Sequence, residues 1–398
     1  MSLSVGLQIA GVDDYIQQNL VCVMPVKETS PQEHKGVAKI SLGGPEEGSE
    51  LPKLTKVTVR LEDCLACSGC ITSAETVLIE QQGLPEFRKN IKEISQKKKV
   101  ICTIADECIA SMSVVHNQPF NVVWTRVEKA LRKEGVDELR DLSQAQDISL
   151  FGIYDEFKEY QKMNKVLLTS TCPGWVCYSE KMQGKWMFEY MSKVASSMTI
   201  AGMMMKKQNS EIYHVSIQMC FDKKLEATKT YNNIHVIDCV LTTSEIDSIV
   251  DWNEPINEVT STRIKGFISS PAQYIALMEQ KKGPFKITRN KDFLENDGIA
   301  IANGFRNIQN VVRFVKSKTK LQFIEVEACP GGCICGGGQI KCSPKEKDER
   351  VKKMMEILEP KIVDEKNKGI YESIKDTIKL TFIDRKENAQ ENALHLNW

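Results

Sequence analysis

The densest chemistry in this 398-residue chain is a triplet of thiols, Cys64-Leu-Ala-Cys67-Ser-Gly-Cys70. Steps of three residues return each thiol to the same side of a tight loop, and Ala66 and Gly69 keep that loop slim. Three thiols presented in this way can converge on one cubane, as in the loops that hold [4Fe–4S] clusters in ferredoxins. The Cys-Pro dipeptide that would complete such a loop is missing, because no cysteine follows Cys70 until Cys102. The fourth thiol must come from another segment, and Cys22, within Val21-Cys22-Val23-Met24-Pro25, is the best candidate. Zinc is the plainer alternative. A lone C-x2-C pair is more often a zinc site, but three cysteines with no nearby histidine favour a cluster.

A second set of thiols is dispersed along the chain. Cys172 lies in Thr169-Ser-Thr-Cys-Pro-Gly-Trp175, Cys220 in Val215-Ser-Ile-Gln-Met-Cys220, and Cys329 and Cys333 in Glu325-Val-Glu-Ala-Cys-Pro-Gly-Gly-Cys333. Each follows a short apolar run that reads as a strand. The carboxyl ends of strands in open parallel α/β sheets line the ligand crevice. Four thiols there can meet in one buried pocket and hold a second [4Fe–4S] cluster. Pro330, Gly331 and Gly332 predict a tight turn whose backbone N–H groups donate to cluster sulfides. The plainer reading of a single cysteine after a strand is a small buried hydrophobe. The Cys-Pro-Gly-Gly-Cys turn is the stronger signal, since the Gly336-Gly337-Gly338 run after it suits a closely approached backbone.

The elements that must position these thiols are legible as alternating runs. Val100–Ile104, Val166–Thr169, Tyr213–Ile217, Ile234–Ile237, Ile299–Ala302 and Phe323–Val326 read as strands. Asn121–Lys133, Lys185–Gln208, Phe305–Lys318 and Lys345–Leu358 read as amphipathic helices between or after them. Such alternation predicts an α/β fold with a mainly parallel sheet. Gly43-Gly-Pro-Glu-Glu-Gly48 is a strong break within a polar stretch. The predicted organisation is a small N-terminal cluster-binding module over 1–98, an α/β body over 99–343, and a helical segment with a tail over 344–398.

Composition narrows the function. The 53 basic and 53 acidic residues balance, which gives no electrostatic case for nucleic acid or an anionic membrane. No apolar run approaches the ~20 residues that span a bilayer. The first twenty residues, with Asp13 and Asp14, do not read as a secretory signal, so the expected compartment is the reducing cytosol. Fourteen cysteines there are better read as metal ligands and core thiols than as disulfides.

The strings 169–175, 215–224 and 325–339 resemble the three signature motifs of iron-only hydrogenases, in the same order. The resemblance covers roughly residues 57–358 and implies an iron-only-hydrogenase-like body. Its departures are informative. A hydrogenase carries a second cysteine, a proton donor, directly before the first ligand. Here that position is Thr171, whose hydroxyl is a poor acid at pH 7. The hydrogenase Met-Pro-Cys is replaced by Gln218-Met219-Cys220, and Cys335 stands where the pattern usually has Asn.

This combination is similar to the eukaryotic hydrogenase-like branch, which includes cytosolic iron–sulfur assembly factors and nuclear prelamin A recognition factors. Asp13-Asp14-Tyr15-Ile16 followed by Cys22-Val-Met-Pro25 resembles the N-terminal segment of the assembly factors. The resemblance implies two [4Fe–4S] clusters, one on Cys22, Cys64, Cys67 and Cys70, the other on Cys172, Cys220, Cys329 and Cys333. It favours Cys333 over Cys335. It implies a non-enzymatic carrier or adaptor between the cytosolic iron–sulfur scaffold and the targeting complex, in the cytoplasm with the nucleus as a second compartment. The C-terminal Leu396-Asn397-Trp398 resembles the docking tails of that pathway, although Asn397 departs from their usual middle residue. A divergent hydrogenase and a two-cluster electron-transfer protein are the rivals. Cys102, Cys108, Cys177, Cys239 and Cys342 are read as ordinary thiols, and Lys223 as a support for the loop or the charge of the second cluster.

Overall fold

The computed structural model describes residues 82–231, 234–260, 270–358 and 363–385. Cys22, Cys64, Cys67, Cys70 and Trp398 lie outside the described residues. The strands, in chain order, are β1 (Val100–Ile104), β2 (Glu138–Asp141), β3 (Leu167–Thr169), β4 (Tyr213–Gln218), β5 (Thr230–Tyr231), β6 (Ile234–His235), β7 (Cys239–Thr242), β8 (Lys286–Ile287), β9 (Phe293–Asn296), β10 (Ile299–Asn303) and β11 (Phe323–Glu327).

They build two main sheets. In the first, the order is β2-β1-β4-β7 and every pairing is parallel. In the second, the order is β3-β11-β10-β9-β8; β3, β11 and β10 are parallel, and β9 and β8 add an antiparallel edge. Parallel strands buried on both faces read as continuous apolar runs, as Val100–Ile104 does. In the second sheet the alternation is still visible. Leu168, Ala300, Ala302, Ile324 and Val326 enter one core, while Leu167, Ile299 and Phe323 enter another on the opposite face.

Two expectations shift for identifiable reasons. The run Ile234–Ile237 contributes only the exposed two-residue β6, and the buried strand is Cys239–Thr242, which pairs with β4. Composition did not separate two adjacent β-like runs. The stretch Lys185–Gln208 is not one helix. A short turn of helix covers Lys185–Phe188, and a second helix, Ser197–Gln208, restarts after Ser196, whose hydroxyl accepts the N–H of Thr199. A serine at that position favours a new N-terminus over continuation.

Helix Leu84–Ile94 packs Phe87 and Ile91 into the same core as β1, β4 and β7. Helix Pro344–Ile357 sets Met354 against Ala110, and helix Asn367–Ile374 packs Tyr371 and Ile374 beside Phe151 and Phe157 of helix Ser143–Lys162.

Candidate metal centre

The two sheets meet the cysteines from different directions. Cys172 follows β3, and Cys329 and Cys333 follow β11, all in the second sheet, while Cys220 follows β4 in the first. The crevice is therefore between two sheets, not along the edge of one. Serine and glycine fix the geometry locally. Ser170 Oγ donates to Val326 O at 2.6 Å and accepts from Cys172 N at 3.0 Å, which ties the ends of β3 and β11 together. Gly336 comes so close to the end of β4 that a Cβ there would lie 2.3 Å from Met219 O. Gly338 N donates to that same carbonyl at 2.9 Å. The glycine run thus brings the turn that follows β11 against Cys220, a close approach that only glycine permits.

Cys172, Cys220 and Cys329 are buried, and the half-buried Cys333 starts a single 3-10 turn over Cys333–Cys335. Burial is the main cause that raises the pKa of all four. Cys172 is pushed up to about 11, with Asp222 adding to burial, and the other three stand well above the usual thiol range. In addition, Cys220 feels Cys329 and Cys172, Cys329 feels Cys172, and Cys333 feels Cys172, Cys329 and Cys220. Each of the four thiols therefore lies within electrostatic reach of the other three. Among the described residues no three His, Cys, Asp or Glu side chains surround a single-ion position. Three buried thiols and a half-buried one within one region make a four-thiolate donor set of the kind that holds an iron–sulfur cluster. Such a group would stabilise the thiolates that burial alone disfavours.

The turn does not behave as its sequence suggests. Gly331 and Gly332 both have positive φ, but Gly331 N donates to Asp292 Oδ1 at 2.9 Å and Gly332 N to Cys329 O at 3.0 Å. Cys333 N donates to Glu327 Oε2 at 2.7 Å. Those N–H groups are committed to the protein, so their part is to lock the turn. The backbone N–H of Asp222, in contrast, donates to Cys220 Sγ at 3.3 Å. Cys335 acts on Cys329, and its own surroundings include Lys347, Asp292, Cys342 and Asp348. Lys223 is buried, is paired with Glu226 Oε2 at 2.7 Å and lies near Cys333 and Cys172. Cys102, Cys108 and Cys239 are core side chains, Cys177 is half-buried and Cys342 is exposed.

The sequence reading missed the acidic side of this site. A cavity of about 190 Å³ adjoins Cys333, Thr171 and Lys223 and is also lined by Glu107, Glu325 and Glu327. Burial raises the pKa of all three carboxyls, that of Glu107 to about 8, and Glu327 adds to the rise at Glu325 and Glu107. Glu325 accepts from Ser270 Oγ and from Ala272 N. Glu107 Oε2 and Asn303 Oδ1 have no hydrogen-bond partner among the described residues. The signal was present in Glu325-Val-Glu327, two carboxylates on one side of a strand that ends at the cysteine turn.

Residues 98–337 match the family described as "Iron only hydrogenase large subunit, C-terminal domain". A probable cytosolic Fe-S cluster assembly factor of Drosophila melanogaster is 34% identical over 405 residues, covering 85% of each chain. One of Aedes aegypti is 33% identical over 426 residues, with 89% of this chain and 88% of the relative covered. The fold is also that of a variant of the [FeFe]-hydrogenase HydA1 from Chlamydomonas reinhardtii, with a TM-score of 0.61 at 17% identity over 75% of this chain and 99% of that one. The chain belongs to the iron-only-hydrogenase-like family, in the group that contains these cytosolic Fe-S cluster assembly factors.

Proposed function

We propose that this chain is a cytosolic iron–sulfur assembly factor that carries two [4Fe–4S] clusters and passes clusters from a scaffold toward a targeting complex. The observation that supports the reading is that Cys172, Cys220, Cys329 and Cys333, from the ends of strands in two sheets, lie within electrostatic reach of one another, three of them buried. These four would hold one cluster, and Cys22, Cys64, Cys67 and Cys70 the other. A bound cluster supplies one-electron storage and exchangeable metal–thiolate bonds. The protein's part at the inner site is to exclude water and fix the thiols, so that cluster should be held tightly. The cluster on Cys22 should be the more easily transferred one.

Hydrogenase activity is not part of this reading. Thr171 occupies the position before Cys172, and its hydroxyl does not ionise near neutral pH. Relatives named as assembly factors support the carrier role. Docking of the targeting complex through Trp398, and a nuclear pool alongside the cytosolic one, belong to the same proposal.

Chelator challenge of the anaerobically reconstituted protein tests it. In Cys22→Ala one cluster should be lost much faster and the other should persist, while the wild type donates a cluster to a recipient apoprotein and evolves no hydrogen. Release of both clusters unchanged by the substitution, or hydrogen evolution, would overturn the assignment.

A further inference from the structure

Residues 281–320 hold ten basic side chains and three acidic ones, although the two kinds balance over the whole chain. Helix Phe305–Lys316 presents Arg306 and Arg313 to solvent, and the loop between β8 and β9 presents Arg289 and Lys291. Among the described residues no carboxylate stands within ion-pair distance of these four. The contrast with helix Phe120–Lys133 is plain. There Arg132 meets Glu128 at 2.8 Å, and Lys129 and Lys133 meet Glu254 at 3.8 and 2.9 Å. The three carboxylates of the basic stretch are engaged elsewhere. Asp297 pairs with Lys281 at 2.7 Å, Asp292 holds Gly331 N, and Glu295 stands opposite Lys286 of β8.

The four unpaired cations share one face because the loop is clamped to the helix. Asn290 Nδ2 donates to Asn307 Oδ1 at 2.9 Å, and Asn307 Nδ2 donates back to Asn290 Oδ1 at 3.0 Å. Asn310 Nδ2 donates to the same Asn307 oxygen at 3.3 Å. Arg306, Asn310 and Arg313 follow one another at helical spacing, so both arginines flank the clamp. The Arg289 guanidinium lies 4.2 Å from the centre of the Phe314 ring, which holds it in place. This face runs up to the cysteine turn. Exposed Pro330 is 3.6 Å from where a Cβ on Gly304 would stand, and the exposed Phe305 is the next residue.

We propose that this face docks an acidic protein surface, whose carboxylates pair with Arg289, Lys291, Arg306 and Arg313 around a contact on Phe305 and Pro330. A guanidinium fork meets a carboxylate through two parallel hydrogen bonds. An apolar centre within a charged rim is the composition of a protein interface. A nucleic acid fits less well, because Asp292 and Glu295 lie in the same stretch and repel a run of phosphates. The docked partner is set against the turn that carries Cys329 and Cys333. Its role in cluster handling rests on the assembly reading, whereas the contact itself does not.

Fluorescein-labelled deca-glutamate, titrated into the full chain and read by anisotropy, tests the face with a defined probe. Arg306→Glu, Arg313→Glu should weaken binding about tenfold, and Arg306→Gln, Arg313→Gln by less. The charge-matched control Lys162→Glu, Lys368→Glu, at exposed positions elsewhere, should bind as the wild type does. Carbodiimide coupling should join the probe to Lys291 in the wild type and the control, as read by peptide mass spectrometry, and not in Arg306→Glu, Arg313→Glu. No binding, equal weakening in the control, or duplex DNA held more tightly than the peptide by the same residues overturns the proposal. The titrations are run on metal-free and reconstituted protein. Probe binding at these residues in a chain that takes up no cluster would keep the docking face and sink the assembly reading alone.

Discussion

The carboxylate of Glu327 accepts the backbone N–H of Cys333 at 2.7 Å, and the same oxygen lies 2.7 Å from where a Cβ on Gly332 would stand. Gly332 also has φ +86°, a left-handed conformation that side chains resist. Strand β11, through its last residue, thus sets the position of a thiol six residues further on. Gly332→Ala should cost about 1–3 kcal/mol of stability and lower the iron bound at the inner site. Denaturant midpoints of the metal-free protein and iron content after reconstitution check the two parts separately.

The approach of Gly336 to Met219 O joins the two sheets at Cys220. Gly336→Ala places a methyl 2.3 Å from a backbone oxygen, so the loop must move. The expected loss is about 2 kcal/mol or more, the range of overpacked sites. Gly337→Ala has only an ordinary contact, 3.8 Å to Phe221, and should change stability far less. Thermal unfolding of the pair tests the contrast.

Lys224 is buried, with Nζ 2.9 and 3.0 Å from the two oxygens of Glu245 and 3.2 Å from Gln82 O. Glu245 also closes the capping box on Thr242 at the end of β7. Lys224→Met leaves that carboxylate without its cation and should cost about 3 kcal/mol. The double variant Lys224→Met, Glu245→Gln should recover part of the loss, as a chemical-denaturation cycle would read.

His214, wholly buried on β4, has Nδ1 3.0 Å from Val236 O and Nε2 2.9 Å from Thr103 Oγ1. Burial lowers its pKa from 6.5 to about 4, with Lys206 acting in the same sense and Val236 O and Asp238 against it. Below pH 6.5 the unfolded chain takes up a proton that the folded one refuses. The contribution of His214 to stability is therefore complete above that pH and is lost as pH falls toward 4. The loss amounts to about 3 kcal/mol. His214→Gln should flatten this part of the stability–pH curve.

The sequence made the thiols legible because three motifs each place cysteine after a strand-like run, and Val100–Ile104, Tyr213–Gln218 and Phe323–Glu327 formed close to where their apolar runs lie. The division into two sheets was not legible, because strand pairing is set by contacts distant in the chain and leaves no local pattern. Glu138–Asp141 joined a sheet although Glu-Leu-Arg-Asp has weak strand preference; its pairing with β1 overrides it. The buried carboxyls of Glu107, Glu325 and Glu327 were passed over because charged residues are expected at the surface, and only the fold shows them enclosed beside Cys333.

Iron and acid-labile sulfide counted per chain after anaerobic reconstitution test the central claim most directly. Two [4Fe–4S] clusters require about eight irons and eight sulfides in the wild type, and about half of each in Cys329→Ser, Cys333→Ser. Undiminished iron in that variant, or zinc in place of iron in the wild type, would contradict the assignment of the inner site.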